Sequence, residues 1–369
     1  FLKIAVEACR KIMDTKHYSL STSKESGLPA YQSLFCSADL TQNPEMILVA
    51  DYDKALGRLH NAQAQFDYNT GLSRSLMEDY LVVEDGQTKY FHEVEGYRTK
   101  TVLEIFENRD PRLEQTFMKP GVLNVGTTEP HRAKLNLGGY PQIKFRPLTF
   151  DQMDWGKSYT DLPIIRYAEI LLIYAEAKAE LGTLTQDDIN NTINLIRQRA
   201  GMPDASLDDW LANIDPVQEE RYSNVQSSQK GAVLEVRRER RIELACEGFR
   251  YGDLMRWGCG KLFEAAPEGA YIPGMGYYDV TGDGTPDIAV VEKKADVDKI
   301  PEEDKQKYKL TVYALEGNTI GLTEGTKGHI YLIAQHGKYT FVSPKYYYYP
   351  VATKDITVNE NLYQNPFWE

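Results

Sequence analysis

Two glutamates, Glu243 and Glu247, stand one helical turn apart in the charged stretch RRERRIELACEGFRYGDLMRW, residues 237–257. Residues that are four positions apart lie on the same face of a helix. Two carboxyl groups about 5 Å apart form the catalytic pair of a retaining glycosidase, in which one donates a proton and the other attacks the sugar. The stretch therefore allows the chemistry of a glycoside hydrolase.

The arginines of the same stretch favour a structural role for these glutamates. Three pairs of opposite charge are separated by three residues: Arg240 with Glu243, Glu247 with Arg250, and Asp253 with Arg256. A general acid needs a raised pKa, whereas neighbouring guanidinium groups stabilise the ionised carboxylate and lower its pKa. Because arginine also forms planar, bidentate bonds with carboxylates, we predict an ion-pair lattice that fixes this helix to its neighbours. Phe249 and Trp257 are expected to anchor the end of the helix.

A second group of acidic residues has the spacing of a calcium-binding loop. In DVTGDGTPD, residues 279–287, oxygen-bearing side chains occupy positions one, three, five and nine: Asp279, Thr281, Asp283 and Asp287. Gly284 stands at position six, where a calcium loop turns sharply. Val290 replaces the bidentate glutamate of position twelve, so that Glu292 would have to substitute for it. Two interpretations stay open, a structural calcium ion that stiffens the loop and an Asp/Gly/Pro-rich turn without an ion.

Composition and the remaining motifs exclude several classes of function. The 369 residues carry a net charge of -12, and no basic tract is present that would bind a nucleic acid. The sequence contains no H-E-x-x-H, P-loop or G-x-G-x-x-G motif, which argues against phosphate-cofactor chemistry. Its apolar runs are far shorter than the ~20 residues of a membrane-spanning helix. The cysteines lack C-x-x-C spacing and are expected to be buried free thiols: Cys9, Cys36, Cys246 and Cys259.

Helical periodicity indicates the elements that must position these side chains. Residues 162–201 contain two apolar stripes of helical period, each followed by a glycine. Pro163 suits the first turn of the first helix, and Thr185 is the predicted N-cap of the second. The pair resembles a tetratricopeptide hairpin, whose period is ~34 residues. Residues 1–18 and a charged helix from about Gly231 to Phe249 are expected to add further layers.

The rest of the chain has the composition of loops and short strands. Residues 21–160 and 265–369 are rich in Gly, Pro, Asn and Tyr, with short apolar runs between turn signals. No linker divides the chain. We therefore predict one domain, residues 1–369, with a mainly α fold. In it, tetratricopeptide-like helical hairpins, chiefly residues 1–18, 162–201 and 231–257, pack against an irregular, loop-rich lobe with short strands.

The first residues predict that the natural chain begins further upstream. Phe1 already lies within an amphipathic pattern, and no initiating Met, signal peptide or lipid-attachment Cys precedes it. We therefore expect a processed or partly observed polypeptide.

Segments across nearly the whole chain resemble, in order, the SusD/RagB family of bacterial outer-membrane nutrient-binding lipoproteins. They are PEMILVADYD, GLSRSLMEDYLVVEDG, RDPRLEQT, GGYPQIKF, LPIIRYAEILLIYAEAKAELG, INLIRQRAG, VRRERRIELACEGFRYGDLMRW and YYYYPVATKDITVNENLYQNPFW. The resemblance implies a helical scaffold and irregular lobe tethered by an upstream lipid anchor to the extracellular face of the outer membrane. It also implies a partner, a SusC-like TonB-dependent transporter that the protein covers as a lid.

The resemblance places ligand contacts on the irregular lobe, partly in upstream sequence and partly in the loop KALGRLHNAQAQFDYNTGLS, residues 54–73. Phe66 and Tyr68 are the aromatic candidates in this loop. Its candidate amides for sugar hydroxyls are Asn61, Gln63 and Asn69. Trp155 and Tyr159, in the polar turn DQMDWGKSYTD, form a second candidate platform. Aromatic rings of this kind offer an apolar face to sugar C–H groups and a polar atom to sugar oxygens.

We therefore predict a non-catalytic cell-surface protein that binds a polysaccharide or oligosaccharide and delivers it to the transporter. No cofactor is expected unless the 279–287 loop holds a structural calcium ion. A binder of peptide or another nutrient is an alternative, because a fold does not fix its ligand. Stacked aromatics with amides would favour a glycan, and exposed strand edges or charged clefts would favour a peptide. A glycoside hydrolase, the third class, would need two facing acids without arginine partners.

Overall fold

A computed structural model of the protein describes residues 1–62 and 71–368. Its α-helices are α1 (Leu2–Thr15), α2 (Ala30–Ser33), α3 (Arg74–Met77), α4 (Arg112–Thr116), α5 (Tyr167–Glu180), α6 (Gln186–Asn190), α7 (Ile193–Ala200), α8 (Leu207–Ala212), α9 (Pro216–Arg221), α10 (Lys230–Glu243), α11 (Phe249–Arg256), α12 (Glu302–Tyr308) and α13 (Thr353–Val358). Its strands are β1 (Met46–Ala50), β2 (Val82–Glu84), β3 (Gln87–Lys89), β4 (Leu162–Arg166), β5 (Glu268–Ile272), β6 (Gly276–Tyr278), β7 (Ile288–Val291), β8 (Thr311–Ala314), β9 (Ile320–Leu322) and β10 (Gly328–Leu332). Short 3-10 helices lie between them at Phe91–Glu93, Tyr97–Thr99, Leu135–Leu137, Phe150–Gln152, Gly260–Glu264, Lys294–Lys299 and Lys345–Tyr347. The predicted mainly helical fold is confirmed.

Helix α5 is the centre of the helical scaffold, because apolar side chains surround it on several sides. Ala168, Leu171, Leu172 and Ala175 are fully buried. Helices α1, α7 and α10 pack against α5, and α8 packs against α10. The small alanines of α5 let neighbouring helices approach closely, as in a stack of helical hairpins. The two further helical layers predicted from residues 1–18 and from the charged stretch are present as α1 and α10. Helix α1 ends at Thr15, before the predicted end at residue 18.

Pro163 does not lie in the first turn of a helix, as predicted, but in strand β4. This strand pairs antiparallel with β1, where Pro163 stands opposite Val49. A proline is tolerated at the edge of a sheet, where its missing N–H is not needed for a ladder. The β-branched Ile164 and Ile165 favour the extended backbone. Helix α5 begins only at Tyr167.

The second predicted helix of the hairpin is divided into α6 and α7. Its start at Thr185 is confirmed: the Thr185 hydroxyl accepts from the Asp188 N–H, and the Asp188 carboxylate accepts from the Thr185 N–H. The division falls at Asn191 and Thr192, where the Thr192 hydroxyl donates to the Asp188 carbonyl. Such a side-chain bond competes with the helical backbone pattern. Gly201, with a φ of 77°, follows the end of α7 as predicted.

The charged helix predicted to run from Gly231 to Phe249 ends at Glu243, and α11 begins only at Phe249. The chain reverses through Cys246 and Gly248, whose φ angles are 65° and 87°. Side chains from distant segments take the place of helical N–H donors. Lys144 Nζ donates to the Ala245 carbonyl (2.7 Å), and Arg166 Nη2 donates to the Glu243 carbonyl (2.8 Å). Because these carbonyls have partners outside the helix, the helix need not continue.

The loop-rich lobe contains two small three-stranded sheets, ordered β5–β10–β9 and β6–β7–β8, and the hairpin β2–β3. Its apolar cluster includes the buried rings of Tyr80, Phe117 and Tyr140. Ile242 of α10 belongs to the same cluster, so the helical scaffold contributes a side chain to the core of the lobe. The division of residues 1–369 into one domain with these two parts stays a prediction.

The cysteines are free thiols, as predicted; Cys9, Cys36 and Cys259 are also buried, as predicted, whereas Cys246 is half-buried. Burial raises the pKa of the Cys36 thiol to about 12, so that it stays protonated and unreactive near neutral pH. Within the two described ranges, none of the helices has the length and hydrophobicity of a membrane-crossing segment.

Candidate functional site

The carboxylate of Glu243 lies among three buried arginines. Arg166 Nη1 donates to its Oε1 (2.6 Å), Arg112 Nη1 lies 3.3 Å from its Oε2, and Arg199 Nη2 also donates to Oε1. These arginines come from the end of β4, the start of α4 and the last turn of α7. Burial by itself raises the pKa of Glu243, but the charges of Arg199, Arg166 and Arg112 outweigh it and hold the pKa well below its usual range.

Glu247 has surroundings of the same kind. Arg166 Nε lies 2.7 Å from Glu247 Oε2, and Lys144 Nζ lies 2.7 Å from Oε1. Burial raises the pKa of Glu247, and the adjacent charges of Arg166 and Lys144 lower it further than burial raises it. Neither Glu243 nor Glu247 holds the proton that a general acid must supply. The predicted ion-pair lattice is confirmed, and its charges disfavour the protonated acid that a glycosidase pair requires.

The lattice extends to Glu239 and Glu45, which are also buried. Glu239 accepts from Arg112 Nη2 (3.0 Å) and from Arg197 Nε (2.5 Å). Glu45, just before β1, accepts from Arg166 Nη1 (2.9 Å). The buried charges therefore connect α10 with α4, α7 and the β1–β4 ribbon. This set of residues is called the ion-pair lattice below: Glu45, Asp110, Arg112, Lys144, Arg166, Arg197, Arg199, Glu239, Glu243 and Glu247.

One of the three predicted pairs within the charged stretch is confirmed, since Asp253 and Arg256 meet at 2.9 Å. The other two are wrong. Arg240 Nε binds Asp253 (2.9 Å) instead of Glu243, and Arg250 donates to the Tyr222 hydroxyl (2.9 Å) instead of pairing with Glu247. Glu243 is instead held by Arg112, Arg166 and Arg199. For Glu247 and Arg250 the reason is the end of α10 at Glu243, because their three-residue spacing does not lie within one helix. Phe249 and Trp257 do pack on the scaffold core at the end of this segment, as predicted.

The polar turn that contains Trp155 is joined to the loop before residue 63. The His60 N–H donates to the Ser158 carbonyl (2.8 Å), and the Ser158 N–H donates to the His60 carbonyl (3.2 Å). Next to this bridge, the Asn61 amide oxygen accepts from the Gly156 N–H. The indole of Trp155 is 69% exposed. Asn61 and Trp155, predicted from separate segments, therefore lie on one surface.

Tyr159, which follows Trp155 in the same turn, contacts a charged pair. Its hydroxyl donates to Asp151 Oδ2 (3.2 Å), and Lys54 Nζ lies 2.6 Å from the same oxygen and 5.5 Å from the centre of the Tyr159 ring. The hydrogen bond from Lys54 lowers the pKa of Asp151 to about 2. The surface thus combines an exposed indole with ionised and amide groups that can bond hydroxyls. We call Asn61, Trp155 and Tyr159 the Trp155 surface.

The other predicted ligand residues, Gln63, Phe66, Tyr68 and Asn69, lie outside the residues that the structure describes, and they stay predictions. One neighbouring aromatic was missed. Phe150 is as exposed as Trp155, at 69%, and packs over Gly126. Its signal in the sequence was an apolar ring placed directly before the polar turn.

The carboxylates of the 279–287 loop are occupied by N–H donors. Asp279 accepts from the N–H groups of Thr281 (2.9 Å), Gly282 (2.6 Å) and Gly284 (2.8 Å). Asp287 accepts from the Thr281 N–H (3.0 Å) and lies 3.3 Å from Arg132 Nε. Asp283 accepts from Thr285 (2.8 Å). No group of three His, Cys, Asp or Glu side chains in the described part of the chain is arranged to hold a metal ion. These bonds explain the turn without an ion, and calcium binding stays a prediction.

An aromatic hollow of about 390 Å³ lies beside the end of the chain and was also missed. It is lined by rings from three segments, among them Tyr251, Phe263, Tyr339 and Tyr349. The hydroxyls of Tyr251 and Tyr349 are 2.7 Å apart. The run Tyr346–Tyr349 is visible in the sequence, but its nearness to α11 results from the tertiary fold. The hollow has the size and the apolar lining of a small-ligand site.

The variant Glu243→Gln is expected to lower the free energy of unfolding by about 3–5 kcal/mol, because it leaves buried guanidinium groups without their charge partner. Glu247→Gln should act in the same direction. The pKa of Glu243 is lower in the folded protein than the ordinary 4.5, so its contribution is full above that pH and is lost as the pH falls towards the folded pKa. The acid dependence of stability should therefore be weaker in the variant. Denaturant unfolding between pH 3 and 7 measures both effects.

Glu302→Gln is the matched control for this experiment, because the Glu302 side chain is 70% exposed and its ion pair with Lys305 contributes little. Full stability of both lattice variants would show that the arginines do not depend on these carboxylates.

Calcium binding by the 279–287 loop is tested by titration of chelator-treated protein. A structural ion should release or absorb heat at millimolar calcium and raise the melting temperature, and Asp279→Asn should remove both effects. No heat and an unchanged melting temperature would leave the hydrogen-bonded turn as the complete account of the loop.

A model of the SusD family matches residues 49–368. SusD-like protein P38 of Formosa agariphila is 23% identical over 269 residues, which cover 68% of this chain and 47% of that protein. The chain therefore spans about half the length of this curated relative.

Two solved structures from Bacteroides fragilis have the same fold. One is described as a SusD-like carbohydrate binding protein and matches this chain with a TM-score of 0.63 and 22% sequence identity. The match covers 98% of this chain and 61% of the chain in the solved structure. The other, a SusD-like protein, has a TM-score of 0.60 and 18% identity with the same coverage. Because the family model matches most of the residues of this chain, the chain belongs to the SusD family.

Proposed function

We propose that this protein binds an oligosaccharide or polysaccharide at the cell surface without cleaving it. The observation that carries the proposal is the Trp155 surface. The indole of Trp155 is 69% exposed and belongs to the same turn as Tyr159, whose hydroxyl donates to Asp151. The amide oxygen of Asn61 accepts from the N–H of Gly156, the residue next to Trp155. A sugar ring needs this combination of an apolar face and nearby hydrogen-bonding groups. The family relative described as a carbohydrate binding protein supports the same class of ligand.

The absence of cleavage is part of the proposal. The carboxylates of Glu243 and Glu247 are held ionised by arginine and lysine, so neither serves as the acid. A reducing-sugar assay on every glycan that binds tests this point. Release of reducing ends by purified protein would contradict a binding-only function.

We also infer that the bound glycan passes to a SusC-like TonB-dependent transporter, and that an upstream lipid anchor holds the protein on the outer membrane. Membership of the SusD family supports both steps. If the glycan site is complete in this chain, deleting the transporter gene should abolish uptake while this protein still binds glycan at the surface. Glycan capture by intact cells reports binding by this protein, and glycan import reports transport, so the two are measured separately. Capture that disappears with the transporter would show a shared site.

Replacing the aromatic residues of the Trp155 surface should weaken glycan binding. Ring contacts contribute about 0.5–1.5 kcal/mol, so Trp155→Ala should raise the Kd about two- to twelvefold. Tyr159→Phe separates the two roles of Tyr159, because it keeps the ring and removes the hydroxyl bonded to Asp151. The double variant Trp155→Ala with Tyr159→Ala should raise the Kd about five- to 150-fold, and losing the Phe66 and Tyr68 platform as well should nearly abolish binding. A glycan array identifies the ligand, and calorimetry then gives each affinity.

The control variant is Tyr277→Ala, which removes an exposed ring that bonds Asp304 rather than the Trp155 surface. Melting temperatures confirm that each variant is folded. If the double variant binds as tightly as the parent, Trp155 and Tyr159 are not the contact residues. In that case Phe66→Ala with Tyr68→Ala tests the other predicted platform.

A further inference from the structure

A groove beside α11 carries more positive than negative charge in a protein whose net charge is -12. It consists of two adjoining hollows of about 560 Å³ and 750 Å³, which share Ser73, Arg241, Arg250 and Pro267. We propose that this groove, here called the arginine groove, binds the carboxylate groups of an acidic glycan, one that contains uronic acid residues. This inference rests on the proposed glycan binding and assigns it a chemical class of ligand.

The charges around the shared part of the groove do not balance. The Asp79 carboxylate accepts from Arg221 Nη1 (2.7 Å) and from Arg241 Nη1 (2.5 Å). One carboxylate thus neutralises only one of two guanidinium groups. Arg250 adds a further positive charge, and no carboxylate in the described ranges lies within ion-pair distance of it. Arg241 and Arg250 thus line both hollows and Arg221 lines the larger one, and Asp79 is the one acid that pairs with any of these three arginines in the described part of the chain.

The remaining acids that line the groove have cationic partners of their own. Glu78 pairs with Arg74 (2.6 Å), and Glu268 lies 3.8 Å from Arg98. Asp253 binds both Arg240 and Arg256, at 2.9 Å each. None of these acids offsets Arg250. An anionic ligand would supply the missing negative charge without displacing an existing pair.

Arg250 is held in place by aromatic contacts rather than by an acid. Its guanidinium carbon lies 5.9 Å from the centre of the Tyr222 ring and 6.0 Å from that of Trp257. Its Nη1 donates to the Tyr222 hydroxyl (2.9 Å). A guanidinium group has five N–H donors, so this bond leaves capacity for a carboxylate, which arginine binds in a planar, bidentate manner. The residue is therefore positioned before any ligand arrives.

Aromatic rings beside the arginines favour a sugar over other anions. The aromatic hollow of the C-terminal segment adjoins both halves of the groove: Tyr251 lines it and the smaller half, and Phe263 and Tyr339 line it and the larger half. Tyr251 is 50% exposed and Tyr339 is 57% exposed. A uronic acid residue carries a carboxylate on a ring with an apolar C–H face, so it matches a guanidinium group next to an exposed ring.

The test is calorimetry of the purified chain with three matched probes: galacturonate hexasaccharide, a sulfated galactose hexasaccharide and neutral maltohexaose. We expect the uronate oligomer to bind, with an affinity that falls between 50 and 300 mM NaCl. Arg250→Gln should weaken this binding about tenfold or more, because charge-assisted bonds are lost. Arg250→Lys should recover only part of the affinity, since lysine cannot form the bidentate contact. Tyr251→Ala should weaken the same binding several-fold.

Lys299→Gln is the control for net charge, because Lys299 is 76% exposed and lies outside the groove. If Arg250→Gln and Lys299→Gln reduce uronate binding equally, the proposal is overturned. It is also overturned if the sulfated probe is the only one that binds and its binding depends on Arg250. Arg250-dependent binding of a polyglutamate peptide without any glycan would also overturn it. If only the neutral glycan binds, the acidic ligand is wrong while the proposed glycan binding stands. If no glycan on a broad array binds, both fail.

Discussion

The burial of Glu243 among three guanidinium groups is the constraint on which the arrangement of the molecule depends. A buried charge is tolerated only when its partners are in place, because removing either member leaves an uncompensated ion in a poor solvent for charge. The partners of Glu243 come from both parts of the fold. Arg112 belongs to the loop-rich lobe, and Arg166 and Arg199 belong to the helical scaffold. Satisfying one carboxylate therefore fixes the relative positions of α4, α7, α10 and the β1–β4 ribbon at the same time.

Local sequence was sufficient to predict the parts of the fold that local interactions determine. The capping of Thr185 and the left-handed glycine after α7 depend on neighbours within a few residues, and both predictions are confirmed. The end of α10 was not predictable in this way. The carbonyl of Glu243 at its end bonds to Arg166, and that of Ala245 just beyond the helix bonds to Lys144; both partners are about 80 to 100 residues away in the sequence. Pro163 was misassigned for a related reason, since its strand exists only through pairing with β1.

In the candidate site, too, some features were predictable from the local sequence and others depend on contacts between distant segments. Residue type alone drew attention to Trp155 and Tyr159, and the ion-pair lattice was predicted from the mixture of Arg and Glu. The contact between Asn61 and the Trp155 turn could not be read from spacing, because a backbone bridge between His60 and Ser158 creates it. The arginine groove was invisible for the same reason. Its cations come from α9, α10 and α11 and from the segment around Arg74, and no stretch of the sequence contains a basic tract.

The unequal exposure of the tryptophans has a spectroscopic consequence. Trp210 and Trp257 are buried in the scaffold core, and the indole N–H of Trp257 donates to Glu176 (2.8 Å). Trp155 faces the solvent. The buried indoles should emit at shorter wavelengths and be shielded from iodide, whereas Trp155 should emit further to the red and be quenched readily. The fourth indole, Trp368, is half-buried and lines the aromatic hollow, so it should emit between these extremes. A ligand that covers Trp155 would shift and protect the most red-shifted part of the emission. The protein thus carries an intrinsic fluorescent reporter at the surface proposed to bind glycan.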